Sequence, residues 1–247
     1  MSKNPRRQWR IYQLLVATGS VKSKTEAAML ARKGAIFVNG KPMECLHYQV
    51  RPFKDKITFK GKLIQFKENR RYFVLNKPLG FETTKENLLN FLRGKVPSKD
   101  FYSFYPVGRL DKDSTGLIIL TNDGRAGKKI LDPKTKREKI YEVKVDGLLT
   151  QEKIKKLCEG VWIDIDETKY KTLPAKIHVL STSDKKSLFE LKIIEGKKRQ
   201  IRKMCNAVGL NVTKLVRVQI AKLALGKLKE GQIKEYTKKE FYSAVFE

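Results

Sequence analysis

Residues 108–124 read GRLDKDSTGLIILTNDG and join a charged loop to a run of apolar residues. The β-branched and leucine side chains of residues 117–120 predict a buried strand, and residues 122–124 (Asn-Asp-Gly) predict a turn after it. Asp111 lies in the loop before the strand, where a rigid scaffold would fix its carboxylate for chemistry. An Asp near glycine more often caps a turn, so the spacing alone leaves both roles open.

The chain carries a large excess of positive charge. Its 247 residues include 54 Lys and Arg against 26 Asp and Glu, a formal net charge of +28. Such a charge predicts a polyanionic partner, usually nucleic acid; a merely basic surface or a membrane-surface protein is the alternative. No helix-turn-helix, zipper or zinc-finger pattern indicates DNA. We therefore expect a nucleic acid as the partner, and no DNA.

Neither a membrane span nor a secretory signal is evident in the sequence. No apolar run approaches the ~20 residues that a bilayer requires, and the basic N-terminus is not followed by an apolar stretch. Cys45, Cys158 and Cys205 are odd in number and far apart, which fits a reducing compartment without disulfides. We expect a soluble, cytoplasmic protein that does not bind membranes.

Motifs that would indicate a metal or a cofactor fail on inspection. His47, with Cys45 near it, and His178 lack the further Cys or His residues, at the right spacing, that a zinc site needs. Residues 34–41 (GAIFVNGK) have one residue too many between their glycines for a phosphate-binding loop. The loop that begins at Asp111 has Asn122 where a calcium-binding EF-hand requires Glu. We expect no metal and no cofactor.

Residues 1–66 are predicted to form a small domain of two helices followed by strands. Ser23 and Glu26 have the spacing of a capping box at the start of the second helix. The pair Asn39-Gly40 predicts a tight turn between strands. Strands are predicted at residues 36–38 and 56–59.

Residues 67–247 alternate strand-like and helix-like segments. Strands are predicted at residues 72–75, 117–120, 141–145 and 187–194. Helices are predicted at residues 151–158 and 200–208. This pattern is typical of an α+β domain built on a mixed, mainly antiparallel sheet.

Residues 10–64, with the central stretch KTEAAMLARKGAIFVNGKP, resemble the S4 domain, an RNA-binding module. The resemblance implies that Arg32 and Lys33, at the end of the second helix, contact RNA phosphates. A solvated helix face is the alternative for such charges.

Residues 108–124 closely resemble the catalytic motif of the S4-domain-containing pseudouridine synthases of the ribosomal small-subunit/large-subunit family. Three further stretches agree in the expected order: NKPLG at 76–80, EKIY at 138–141 and RQIRKM at 199–204. The resemblance implies an isomerase that forms pseudouridine in RNA without a cofactor. DKDSTGLIILTN and RQIRKMCNAVGLNVTKL are most similar to the branch called large-subunit pseudouridine synthase F, which acts on ribosomal RNA and, in some members, on transfer RNA.

The same resemblance implies a role for individual residues. Asp111 is the expected catalytic residue, Tyr141 the active-site tyrosine that packs on the flipped base, and Arg202 the cation that pairs with Asp111 and opposes the effect of its burial. Arg109, on the same side of an extended chain as Asp111, would fill the space that the base vacates. Five further residues are expected at the site: Leu120 and Ile201 in its apolar wall, and Lys77, Arg199 and Lys203 against the substrate.

A non-catalytic RNA chaperone or ribosome-assembly factor with this fold is the alternative function. Such a protein needs the charge and the S4 module, but not the joint presence of Asp111, Tyr141 and Arg202. We therefore predict a monomeric enzyme acting on ribosomal RNA, favouring the large subunit, with transfer RNA as a further substrate. Asp113, roughly 6.5 Å further along an extended chain, is expected to be dispensable.

Overall fold

A computed structural model of the protein describes residues 9–51, 54–64, 70–84, 86–87, 91, 94, 96 and 104–247. The described residues form two compact units. The first contains the chain up to Arg70 together with the segment from Lys85 to Tyr105, and the second contains Arg71–Thr84 and Pro106–Glu247. The predicted domain boundary between residues 66 and 67 lies outside the described residues, so it stays a prediction.

Residues 9–64 of the first unit form two helices and several short strands. The helices are α1 (Ile11–Ala17) and α2 (Lys24–Arg32), and the strands are β1 (Trp9–Arg10), β2 (Ile36–Val38), β3 (Lys41–Pro42), β4 (Gln49–Val50), β5 (Ile57–Phe59) and β6 (Lys62–Leu63). A four-stranded antiparallel sheet has the order β3-β2-β5-β6, and β1 pairs with β4. Apolar side chains of both helices and of β2 form a common core with Val50 and Ile57.

Local sequence explains where these elements begin and turn. The hydroxyl of Ser23 accepts a hydrogen bond from the amide of Glu26 at 3.1 Å, as a capping box requires. The Glu26 carboxylate, however, accepts from the amide of Lys22 instead of closing the box on Ser23. Asn39 and Gly40 have φ of 52° and 81°, the left-handed conformation that a tight hairpin turn needs.

The second unit is built on one large sheet. Its strands are β7 (Tyr72–Lys77), β8 (Tyr105–Val107), β9 (Thr115–Thr121), β10 (Lys139–Asp146), β11 (Trp162–Ile165), β12 (Thr168–Lys171), β13 (Lys176–Thr182), β14 (Lys186–Ile193), β15 (Asn211–Ile220), β16 (Leu223–Ala224) and β17 (Ile233–Tyr236). Its helices are α3 (Gly124–Leu131), α4 (Gln151–Glu159), α5 (Gln200–Ala207) and α6 (Lys238–Phe246), and a 3-10 turn spans Pro133–Thr135.

The large sheet has the order β13-β14-β10-β15-β9-β7-β17, with β8 added to β9 and β16 to β15, while β11 and β12 form a separate hairpin. Its neighbours pair antiparallel along β13-β14-β10-β15 and β9-β7-β17. The central pair, β9 and β15, is parallel. The predicted α+β class with a mixed, mainly antiparallel sheet is therefore confirmed.

Gly116 makes the central parallel pair possible. It lies opposite Arg217 in register and has a φ of +107°. A Cβ atom at this position would lie 2.7 Å from the amide nitrogen of Arg217 and closer still to its carbonyl oxygen. Any side chain would therefore force β9 and β15 apart.

The end of β9 differs from its prediction. Residues 122–124 do not form a simple turn, because Asp123 is the N-cap of α3 and its carboxylate accepts from the amides of Arg125 and Ala126. The same carboxylate, fully buried, accepts from the hydroxyls of Tyr72 at 2.8 Å and Tyr242 at 3.0 Å. The helix was missed because an Asp that caps a helix and an Asp that opens a turn look alike in sequence.

The helices of the described residues are short. The longest have nine residues, and none is long and apolar enough to cross a membrane.

Candidate active site

The loop that carries Asp111 is held by backbone contacts on both sides. The hydroxyl of Thr83 donates to the carbonyl of Leu110 at 2.9 Å and accepts from its amide at 3.2 Å. The amide of Gly80 donates to the carbonyl of Lys112 at 2.9 Å. The NKPLG segment and the residues after it therefore fix the loop immediately before and after Asp111.

Asp111 lines a cavity of about 310 Å³ beside the central strands of the sheet. This volume lies at the lower end of the range for small-molecule pockets. Four other predicted site residues line the same cavity: Arg109, Tyr141, Arg199 and Ile201. The structure thus brings together residues from the first, third and fourth sequence motifs.

The charge in this cavity is strongly one-sided. Among the described residues that line it, Asp111 is the one carboxylate, whereas six are cationic: Arg109, Lys139, Lys197, Lys198, Arg199 and Arg217. Such a lining attracts an anionic substrate.

Tyr141 lies on β10 between two core strands. It is paired in register with Leu191 of β14 and Arg217 of β15 and is 7% exposed. A tyrosine in this position offers a flat apolar face to a ligand in the cavity. The predicted stacking role fits this placement.

Arg202 does not pair with Asp111 as predicted. Its Nε lies 3.3 Å from Oδ2 of Asp113, and its Nη2 donates to the carbonyl of Asp113 at 2.7 Å. Arg199 also donates to the Asp113 carboxylate, at 3.0 Å. Within the described chain Asp111 has no ion-pair partner within 4.0 Å. Arg202 of the fourth motif therefore contacts Asp113, two residues after the carboxylate with which it was expected to pair.

The contacts of Asp113 argue against the prediction that this residue is dispensable. Burial raises the pKa of its carboxyl group, but the hydrogen bond from Arg199 and the charges of Arg202 and Arg199 outweigh burial and lower it overall. Asp113 therefore links the loop of Asp111 to the start of α5. Its expected dispensability is revised accordingly.

Besides Arg202, three predicted site residues of the second unit lie away from the cavity lining. Lys77 is fully buried, and its ammonium donates to the carbonyls of Pro78 at 3.0 Å and Phe81 at 2.6 Å. Burial lowers its pKa, although the charges of Asp113 and Asp111 oppose the shift. Lys77 thus shapes the NKPLG loop from within.

Leu120 and Lys203 are the other two. Leu120 is fully buried and pairs with Phe73, roughly 17 Å along β9 from Thr115. The Lys203 ammonium donates to the carbonyl of Asp164. Leu120 was misassigned because the site lies at the beginning of the strand and not at its end.

Arg32 and Lys33 lie in the first unit, at the C-terminal end of α2. Both are exposed, so their side chains are available to a ligand. Their contact with RNA remains a prediction.

Two cavity residues were given no role by sequence reasoning, Lys139 and Arg217. Burial lowers the pKa of Lys139 to about 8, with repulsion by Arg217 adding to the shift and Glu195 opposing it. Arg217 is 4% exposed, and its Nε donates to the carbonyl of Leu117 at 2.7 Å. The available signal was spacing, because Lys139 precedes Tyr141 by two residues and shares its strand face.

Among the described residues, no group of three His, Cys, Asp or Glu side chains is arranged to hold a metal ion.

The cavity holds one carboxylate among several cations. Such a site suits an enzyme that acts on an anionic substrate such as RNA. The RNA pseudouridylate synthase family matches residues 71–207, more than half of the 247 residues. The chain belongs to this family. It is an isomerase that converts uridine to pseudouridine, and the non-catalytic alternative is not favoured.

Relatives and one solved structure agree with this assignment. The ribosomal large subunit pseudouridine synthase B of Bacillus subtilis is 36% identical, over 85% of this chain and 85% of the relative. The dual-specificity RNA pseudouridine synthase RluF of Escherichia coli is 34% identical, over 83% of this chain and 68% of the relative. A crystal structure of a pseudouridylate synthase has a TM-score of 0.65 and 28% identity, covering 96% of this chain and 99% of the other.

Proposed function

We propose that this enzyme isomerises a uridine of large-subunit ribosomal RNA, with Asp111 as the catalytic carboxylate. The observation that carries the proposal is the placement of Asp111, the one carboxylate among the described residues of a cavity that six cations line. The names of the relatives in Bacillus subtilis and Escherichia coli support a ribosomal substrate, and the second supports a further RNA substrate. Transfer RNA is our proposed candidate for the latter.

The reaction requires a carboxylate but no redox partner. The C1′–N1 bond of uridine breaks, the base rotates, and a C1′–C5 bond forms while C5 loses a proton and N1 gains one. Asp111 acts either at the sugar or at C6 of the base. Tyr141, buried beside it on β10, packs on the uracil ring, and its hydroxyl is available for the proton at C5.

Entry of the base into the cavity requires that it leave the RNA stack, which costs a few kcal/mol and least in a loop or bulge. Arg109 is exposed and lines the cavity with Asp111, so its side chain is available to occupy the vacated position. We therefore propose a structured, imperfectly paired RNA site as the substrate.

The first unit is proposed to be an S4 RNA-binding domain of residues 1–66. Two helices followed by a small antiparallel sheet support it, as do the exposed Arg32 and Lys33. A monomer working in the cytoplasm, where ribosomal RNA is available, completes the proposal.

The test is a comparison of pseudouridine maps of ribosomal and transfer RNA from cells with and without the gene. One uridine should lose its modification in the deletion strain. Wild-type protein should restore it, Asp111→Asn should not, and Lys155→Gln, a control at an exposed position on α4, should restore it fully. Restoration of the modification by Asp111→Asn would refute the catalytic assignment. Identical pseudouridine maps in cells with and without the gene would favour a non-catalytic role.

A further inference from the structure

Arg217 occupies a central position in the cavity. Its strand, β15, lies between β10 and β9, and Arg217 is opposite Tyr141 on one side and Gly116 on the other. Directly opposed residues of an antiparallel pair share one face of the sheet. Arg217 therefore lies on the same face as Tyr141, and both line the cavity.

The Arg217 guanidinium is only partly satisfied by the protein. Nε donates to the carbonyl of Leu117 at 2.7 Å, but Nη2 is buried and has no hydrogen-bond partner in the described chain. Among the described residues, no carboxylate oxygen lies within 4.0 Å of this side chain. A buried, unpaired charged donor costs free energy, and a ligand that accepts its hydrogen bond would remove that cost.

Lys139 adds a second cation on the same face. Its ammonium donates to the carbonyls of Arg137 at 2.9 Å and Ile194 at 3.5 Å, which leaves capacity for a further acceptor. Burial and the charge of Arg217 lower its pKa to about 8, against the opposing charge of Glu195. Arg217 and Lys139 can therefore both bind an electron-rich group in the cavity.

We infer that Arg217, assisted by Lys139, binds a carbonyl oxygen of the target uracil. This inference rests on the proposed function, which places uridine in this cavity. Uracil presents two carbonyl acceptors, O2 and O4. At O4 the contact also selects against cytosine, which has an amino donor at that position that a fixed cation repels.

The same contact strengthens during the reaction. If Asp111 attacks C6, the electron pair of the C5–C6 double bond moves toward O4. If the base leaves the sugar, both electrons of the C1′–N1 bond stay with uracil and spread to O2 and O4, and C1′ is satisfied by the carboxylate or by loss of a proton. Negative charge reaches the carbonyl oxygens on either route, where a buried cation stabilises it most.

The test is a cycle that combines changes in the RNA and in the protein. Single-turnover rates are measured on a stem-loop that carries the modified uridine, and on the same RNA with 2-thiouridine or 4-thiouridine there, because sulfur accepts hydrogen bonds poorly. For the wild type, one of the two thio substitutions should lower the rate roughly 10- to 100-fold. For Arg217→Lys the same substitution should cost less than about 3-fold, since the one nitrogen of lysine cannot occupy the positions of both Nε, which donates to Leu117, and Nη2.

Controls separate this inference from its premise and from misfolding. Arg125→Lys, at an exposed position of α3, should leave the full thio penalty. Arg217→Met is measured alongside Arg217→Lys, and thermal melting establishes which of the two is folded; either suffices for the cycle. Thio and protein penalties that multiply independently would overturn the inference while wild-type activity upholds the proposed function. Absence of activity in the wild type on the unsubstituted RNA would overturn both.

Discussion

The two compact units differ in that the second buries some of its cations, whereas the described cations of the first are exposed or, at Arg70, half-buried. In the first unit, the basic residues at either end of α2 are exposed: Lys22, Lys24, Arg32 and Lys33. In the second unit, Lys77 and Arg217 are almost completely buried, and Arg202 is engaged by Asp113 and by the carbonyl of Val212. Exposed cations contribute to RNA affinity, and salt weakens that contribution. Buried cations fix the geometry of a site and polarise the groups bound there.

Two glycines with a positive φ, one from each unit, differ in the room around them. Gly34 of the first unit has open space where a Cβ would lie, whereas Gly116 of the second unit lies against the backbone of Arg217. Replacement by Ala should therefore have a small effect at Gly34 and a large effect at Gly116.

The largest expected effect is that of Gly116→Ala. A methyl group there adds a clash with the Arg217 backbone to the cost of a positive φ, and we expect a loss of about 3 kcal/mol or more in the free energy of unfolding. Gly34→Ala, with φ of +67° and no atom within 4 Å, should lose about 1 kcal/mol. Urea unfolding of both variants measures the difference, and equal losses would show that β9 and β15 are not tightly joined.

Arg202→Ala should have the next largest effect, on activity. It removes the link between α5 and Asp113, which misplaces the adjacent Asp111, and a displacement of about 1 Å can cost ~10²-fold in rate. Arg202→Lys should retain part of the rate because the charge survives without the planar fork. Arg32→Ala, an exposed arginine of the first unit, should change the saturating single-turnover rate less than about 2-fold.

Asp113→Asn tests the same link from its other end. Because it removes the carboxylate charge that both arginines contact but leaves the backbone carbonyl that accepts from Arg202, its loss in rate should not exceed that of Arg202→Ala. The double variant should be little worse than Arg202→Ala alone. Additive losses would mean that Arg202 acts through a group other than Asp113.

Neutralising Arg32 and Lys33 should affect RNA affinity and leave the saturating rate intact. If both contact phosphates, the slope of log affinity against log salt should become shallower by about 1.5 to 2. Lys60→Gln with Lys62→Gln, two exposed cations of the first unit at the turn between β5 and β6, should change the slope by less. Equal changes from both pairs would point to a diffuse positive surface instead of a phosphate site on α2.

The smallest effect is expected from alkylation of the thiols. Cys45 is exposed and Cys205 is buried, and burial raises the pKa of Cys205 to about 12, slightly opposed by Arg202. At pH 8 roughly one Cys205 thiol in ten thousand would be ionised, so iodoacetamide should label Cys45 first with no loss of activity. Mass spectrometry of the labelled protein checks the order, and early labelling of Cys205 would show that α5 opens readily.

Sequence reasoning was most successful where the signal is local. Ser23 caps α2 as its spacing predicts, and the strands β7, β9, β10 and β14 lie within a few residues of their predicted positions. Cap and turn residues act on their immediate neighbours, so a single chain reveals them.

The site was only partly predictable because its ion pairs depend on three-dimensional register. The motif resemblance placed Asp111, Tyr141 and Ile201 at one site, and all three line the same cavity. It could not show that the Arg202 side chain contacts Asp113. The importance of Arg217 follows from its pairing with both Tyr141 and Gly116. Nothing in a linear sequence marks a strand residue as the neighbour of two distant motifs.

The parallel pairing of β9 with β15 also has a consequence for biosynthesis. Thr115 and Val216 are partners in the sheet, about a hundred residues apart in the chain, and contacts of such long range close late in folding. During translation, strand β9, which follows Asp111, is synthesised long before Arg217. The emerging polypeptide therefore has no complete centre until Arg217 and the rest of β15 have been synthesised.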